Sequence, residues 1–216
     1  MMSTNELPTQ VNPDEITPIA VTVGISARHV HLTHEHVETL FGAGYELKRF
    51  KDLSQPGQFA CEEFVTVVGP KGVIEKVRIL GPERKQSQVE LSISDCFKIG
   101  IKAPLRDSGD LAGSASVTLV GPVGSVTLEE GAIIAARHIH MHSSDAEKFG
   151  LEDGDRLYVR AKGPRGIIFG DVLIRAGEKH KLEMHIDTDE GNAVGLRNGD
   201  TVYAYKIHGH ISQLVK

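Results

Sequence analysis

Two short stretches carry the same arrangement of imidazoles. "SARHVHLTHEHVETLFG" (26–42) and "AARHIHMHSSDAEKFG" (135–150) each write Ala-Arg-His-aliphatic-His just before a helix-like run. Histidines two apart point to opposite sides of a helix and cannot share an ion there. On a strand they project from one face, roughly 6–7 Å apart along the chain, and both can turn onto one metal. His29 with His31, and His138 with His140, therefore read as two metal-binding pairs, with Val30 and Ile139 between them facing a core. A single pair could equally be two surface histidines on a strand. The second copy in matching context favours two divalent sites or one shared dinuclear site.

Each pair needs further donors, because a zinc ion takes four and a catalytic one keeps a place open. "KLEMHIDTDEGN" offers His185, which strand alternation places on one face with Glu183 and Asp187 and between Met184 and Ile186. "SQVELSISD" offers Glu90 between Val89 and Leu91, where a carboxylate is costly unless it is paired or bound to metal. Arg84 lies six residues before Glu90 in "ILGPERKQSQVE", and Arg106 lies in "APLRDSGD". A guanidinium fork beside a metal suits phosphate. Arg28 and Arg137 precede the paired histidines, with no role assigned.

Other patterns are set aside. "HEHVE" lacks the four-residue spacing of a His-Glu-x-x-His zinc helix, so His34, His36 and His142 are read in or near exposed first helical turns. His180, His208 and His210 have no partner pattern. Cys61 and Cys96 have no neighbouring histidine and read as structural thiols.

The elements that must position these residues are mostly strands. "EFVTVVGPKGVIEKVRIL", "SVTLVGPVGSVTL" and "RLYVRAKGPRGIIFGDVLI" each read as two strands around a Gly-Pro-x-Gly turn. No helix follows these glycine loops, so they are hairpins rather than phosphate cradles. Helices are few. One runs from about Thr33 to Phe41 and stops at Gly42. A second starts at Ser144, with Glu147 completing a capping box, and stops at Gly150. "SISDCFKIGI" suggests a short turn capped by Ser94 or Asp95. "GLEDGDRLYV" (150–159) and "GLRNGDTVYA" (195–204) repeat one turn-and-strand unit. The pattern predicts a mainly β protein: barrels of short strands with small helical caps.

The 216 residues allow one large domain or two small ones, and 40% hydrophobic residues with no tryptophan imply a core of Val, Ile, Leu and Ala. A formal net charge of -5 argues against a nucleic-acid binder. Two cysteines argue against a disulfide framework and fit a reducing compartment. No run is long enough to cross a membrane. Residues 1–18 carry three prolines and no apolar signal region, and read as a flexible tail.

Several stretches together resemble the PduL-type phosphate propanoyltransferases, or phosphotransacylases: "GISARHVHL", "QPGQFACEEFVTVVGPKG", "VRILGPERKQSQVELSISD", "IKAPLRDSGDLAGS", "ARHIHM" and "LEMHIDTDEGNAVG". The resemblance spans about Val23 to Gly195. It implies two β-barrel domains with short α-helical caps, one from residues 19–27 plus 136–216 and the other from 28–135. It implies a dinuclear zinc site between them, two zinc ions per chain with other divalent ions as alternatives. By motif position, His29, His31 and Glu90 would hold one ion, His138, His140 and His185 the other, and Arg84 would meet phosphate. The implied reaction is short-chain acyl-CoA plus phosphate to acyl phosphate plus CoA, with propionyl-CoA or acetyl-CoA as substrate. Nothing assigns the CoA-binding residues. The partners are these small molecules, not nucleic acid or membrane, and a homodimer is compatible. Some members carry an N-terminal amphipathic helix that directs them into bacterial microcompartments. This tail shows no clear apolar stripe, which favours the cytoplasm over the microcompartment lumen.

Two rival readings use the same residues. A dinuclear zinc hydrolase would attack with hydroxide and release free acid. A metal-storage barrel would close each site with four protein donors, whereas each set here offers three.

Overall fold

A computed structural model describes residues 18–206. Of the predicted tail, residues 1–18, all but Pro18 lie outside the described residues, as do His208 and His210. In chain order the elements are β1 (Ile19–Ser26), β2 (His29–His31), α1 (His34–Phe41), β3 (Arg49–Asp52), β4 (Phe59–Gly69) and β5 (Gly72–Gly81). Then come β6 (Gln88–Glu90), α2 (Ile93–Ile99), β7 (Leu105–Arg106), β8 (Ala115–Val120), β9 (Ser125–Ala135) and β10 (His138–Met141). The chain ends in α3 (Ser143–Phe149), β11 (Arg156–Ala161), β12 (Ile167–Ala176), β13 (Glu183–Asp187), α4 (Thr188–Val194) and β14 (Thr201–Tyr205).

The mainly β expectation holds, and the strands close into two rings. The first runs β1-β13-β10-β12-β11-β14 and returns to β1. The second runs β4-β5-β2-β6-β9, and β8 closes it by pairing with both β9 and β4. β3 and β7 are appended at its edges. Closure leaves few free strand edges. The three Gly-Pro-x-Gly hairpins form as β4–β5, β8–β9 and β11–β12.

Each ring has its own aliphatic core. Val21, Val23, Ile139, Ile174 and Met184 fill the first, and Val30, Val67, Ile79, Val89 and Leu119 the second. The repeated turn units become helix stops. Gly150 and Gly195 end α3 and α4 in the left-handed conformation, and β11 and β14 then pair with each other.

Three helical details correct the sequence reading. α3 is capped by His142 rather than Ser144, because the His142 ring accepts from the Ser144 amide and displaces a Ser144–Glu147 box. "SISDCFKIG" is a two-turn helix capped by Ser92, with Asp95 as its third residue in a reciprocal capping box. α4 was not anticipated. Its Asp187–Glu190 capping box lies inside "HIDTDEGN", where a glycine and several acidic residues mask the helix signal.

The chain crosses between rings twice: from β1 to β2 through Ala27-Arg28, and from β9 to β10 through Ala136-Arg137. Both His-x-His strands begin directly after a crossing. That topology carries the two pairs to the seam between the barrels.

Candidate metal centre and active site

Both His-x-His strands are buried throughout, and their side chains alternate between core and cleft. Val30 and Ile139 are fully buried in opposite cores, while the flanking histidines point into a shared cleft of about 760 Å³. Cross-strand register supplies the third donors. His29 lies opposite Glu90 across the antiparallel β2–β6 pair, and His138 lies opposite His185 across β10–β13. The result is two trios, His29/His31/Glu90 and His138/His140/His185, each with donor atoms within 4.8 Å of one another.

The ring nitrogens are held in place. His29 Nδ1 lies 2.9 Å from the Ala27 carbonyl, His31 Nδ1 3.1 Å from Leu80 O, and His138 Nδ1 2.8 Å from Ala136 O. A donor bond from Nδ1 leaves Nε2 as a free lone pair. His138 Nε2 and His140 Nε2 stand 3.1 Å apart. A tetrahedral ion with bonds of about 2.0–2.1 Å needs donors about 3.3–3.4 Å apart, so the trios fit a divalent metal. Nitrogen and carboxylate donors suit zinc and several other divalent ions.

The electrostatics follow from burial and pairing. Burial holds His138 down at about 4, with His185 and Arg175 adding to the effect, and it likewise lowers His31 and His140. These rings stay neutral, as metal donors must. Burial opposes charge on His29 too, but the adjacent Glu90 carboxylate outweighs it and raises that ring. Glu90 is itself held well below the usual carboxylate range. Its burial is overcome by His29 at 3.4 Å, His31 and a hydrogen bond from Ser108 at 2.9 Å.

Arg84 lines the cleft and reaches Ser108 at 3.3 Å. Burial lowers its pKa, and the like charge of Arg175 lowers it further. Arg106 does not line the cleft and pairs with Asp110 at 3.7 Å. Arg175 is a cleft cation that sequence reasoning missed, as are Lys51 and Arg78. It sits opposite His140 in the β10–β12 register, but nothing in "LIRAGEKH" sets it apart before the strands are paired.

His180 corrects another reading. It has a partner after all: its ring packs 4.5 Å from that of His140, with the two Nδ1 atoms 3.3 Å apart. A loop residue has no periodicity to reveal this.

Arg28 and Arg137 acquire roles. Arg28 grips Asp95 through two bonds of 2.9 Å, and Arg137 meets Glu190 at 2.5 Å. Asp95 and Glu190 are the third residues of α2 and α4. Each arginine thus ties a His-x-His strand to the helix that follows the opposing donor strand. Asp187, grouped with His185 by alternation, caps α4 instead. His34 and His36 lie in the first turn of α1, His34 exposed and His36 bonded to Ser87 at 2.7 Å. Cys61 and Cys96 are buried, and burial pushes Cys61 up to about 11.

Two six-stranded barrels sharing a cleft, with two three-donor clusters that could each hold a metal ion and half-buried arginines beside them, define a mainly β protein suited to an anionic substrate. Comparison with known proteins narrows the class. The family model described as phosphate propanoyltransferase matches residues 22–197. The phosphate propanoyltransferase of Thermotoga maritima is 55% identical over 184 residues, 85% of this chain and 88% of the relative. That of Rhodopseudomonas palustris is 52% identical over 187 residues, 87% and 83% of the two chains. That of Priestia megaterium is 56% identical over 181 residues, 84% and 83%. The chain belongs to the phosphate propanoyltransferase family and is an acyltransferase enzyme. Among the described residues no helix is long and apolar enough to cross a membrane.

Proposed function

We propose that the enzyme interconverts a short-chain acyl-CoA and phosphate with acyl phosphate and CoA, using propionyl-CoA or acetyl-CoA, at a cytoplasmic dinuclear zinc site. The observation that carries this reading is the convergence of both donor trios, Arg84 and Arg175 on one cleft. His29, His31 and Glu90 hold one ion, and His138, His140 and His185 the other. Bound there, the ions supply Lewis acidity toward the thioester carbonyl and positive charge toward phosphate.

The chain's own groups complete the arrangement. Arg84 and Arg175 meet phosphate oxygens and orient one of them for attack on the acyl carbon. The new oxygen–carbon bond replaces the carbon–sulfur bond, and CoA leaves as the thiolate. Ser108 holds Glu90 in its ligand orientation and lies beside Arg84. An acyl-cysteine intermediate is not needed. Cys61, protonated at neutral pH, and Cys96 both lie away from the cleft.

Thiol release from propionyl-CoA, with and without phosphate and before and after chelation, tests the reading. Release that needs phosphate, stops on chelation and returns with zinc supports it. Release without phosphate sinks it in favour of a thioester hydrolase. The same assay with acetyl-CoA ranks the two chains, whose one-methylene difference is worth only about 1–3 kcal/mol in a pocket.

A further inference from the structure

We infer that Glu183 is the positioning residue for His185, and that Ser54 and Gln55 of the other barrel hold Glu183 in place. This inference rests on the metal reading above.

His29, His31 and His138 are each steadied by a backbone carbonyl. His185 differs, because its Nε2 lies 2.7 Å from Glu183 Oε2. With Nε2–H donated to that carboxylate, Nδ1 is left to complete the trio with His138 and His140. A carboxylate behind a ligand imidazole fixes its tautomer and makes it a better donor.

Glu183 does not stand alone. Its Oε2 also accepts from Ser54 Oγ and, at 3.4 Å, from Gln55 Nε2. Gln55 is only 4% exposed and is locked by two bonds to Lys181: Nε2 to the carbonyl at 3.0 Å and Oε1 from the amide at 3.1 Å. Ser54 and Gln55 belong to the β3–β4 loop of the second barrel, whereas Lys181 and Glu183 belong to the first. The loop is a clasp across the seam. The pair also packs against Gly24, the register partner of His185 on β1, where an added Cβ would come within 3.0 Å of the His185 ring and 3.1 Å of the Glu183 carboxyl carbon. The close approach of Gly24 and the clasp together leave His185 little freedom. The donor geometry of the second trio therefore depends on how the two barrels dock.

The test is to load wild type, Glu183→Ala, Glu183→Gln and Gln55→Ala with zinc, count bound zinc, and follow its loss to a chelator. Wild type is expected to hold two ions. Glu183→Ala and Gln55→Ala are expected to release one of them about 10–100-fold faster while the other is unchanged. Glu183→Gln keeps an acceptor oxygen and the side-chain volume, so an intermediate rate supports positioning rather than a folding defect. Wild-type release from Glu183→Ala overturns the positioning role. Accelerated release from Glu183→Ala but not from Gln55→Ala overturns the clasp. Failure of wild type to bind zinc overturns the metal reading, and this inference with it.

Discussion

His138 faces His185 directly across the antiparallel β10–β13 pair, as His29 faces Glu90 across β2–β6. One geometric device is thus used twice: a His-x-His strand beside a strand that supplies the third donor. The two trios should fail separately. Glu90→Ala and His185→Ala are each expected to lower bound metal from two ions to one. Activity should fall by more than the roughly 10–100-fold that follows loss of an outer-shell partner. Metal analysis and initial rates on the same preparations check this.

In the proposed reaction Arg84 and Arg175 carry the charge that meets phosphate. Hydrogen bonds to charged groups contribute about 1.5–3 kcal/mol. Replacing either arginine by alanine should therefore lower kcat/KM for phosphate about 10–100-fold. Lysine keeps the charge but loses the fork, so Arg84→Lys should recover only part of it. Metal content should stay at wild-type level, which initial rates over a phosphate series and metal analysis together would establish.

The Arg28–Asp95 pair should show in stability. Asp95 is 5% exposed and would keep only its bond from the Ser92 amide if Arg28 were truncated. An under-satisfied buried acceptor costs about 1–3 kcal/mol. Arg28 is itself 43% exposed, so solvent screening puts Arg28→Ala toward the lower end. Urea unfolding of the variant measures the loss.

The metal-free protein should lose stability in mild acid. Burial holds His138 near 4, and lowers His31 and His140 from the ordinary 6.5. In the unfolded chain these rings take up protons below about pH 6.5 that the folded chain refuses. Their stability contribution is whole above that pH and is lost as pH falls toward 4, at about 1.4 kcal/mol per pH unit for each ring. His29 has the opposite sign. Raised beside Glu90, it adds stability below about pH 6.5 that fades as pH rises through its folded value. Three lowered rings outweigh one raised ring. Urea midpoints of the metal-free protein should therefore drop from about pH 7 to about pH 5.

Much of this was legible from local pattern. The alternation in "RHVHL" and "RHIHM" marked strand, and strand alone lets those histidines converge. The three hairpins and the stops at Gly42 and Gly150 follow from turn chemistry and the left-handed freedom of glycine. Where several caps compete, local pattern was weaker. His142 took the place of Ser144, and Ser92 that of Ser94 or Asp95, because the cap is chosen by the hydrogen bonds available once the preceding strand is placed.

By itself the sequence determined most of the element types, the two His-x-His faces and the family. All three rest on short-range periodicity and contiguous motifs. Only the tertiary structure decided which distant groups meet them. Cross-strand register brought Arg175 beside His140, the seam brought Gln55 to Glu183, and a loop brought His180 against His140. The physical reason is that register and barrel docking are set by the burial of two separate cores, a property of the whole chain that no local window contains.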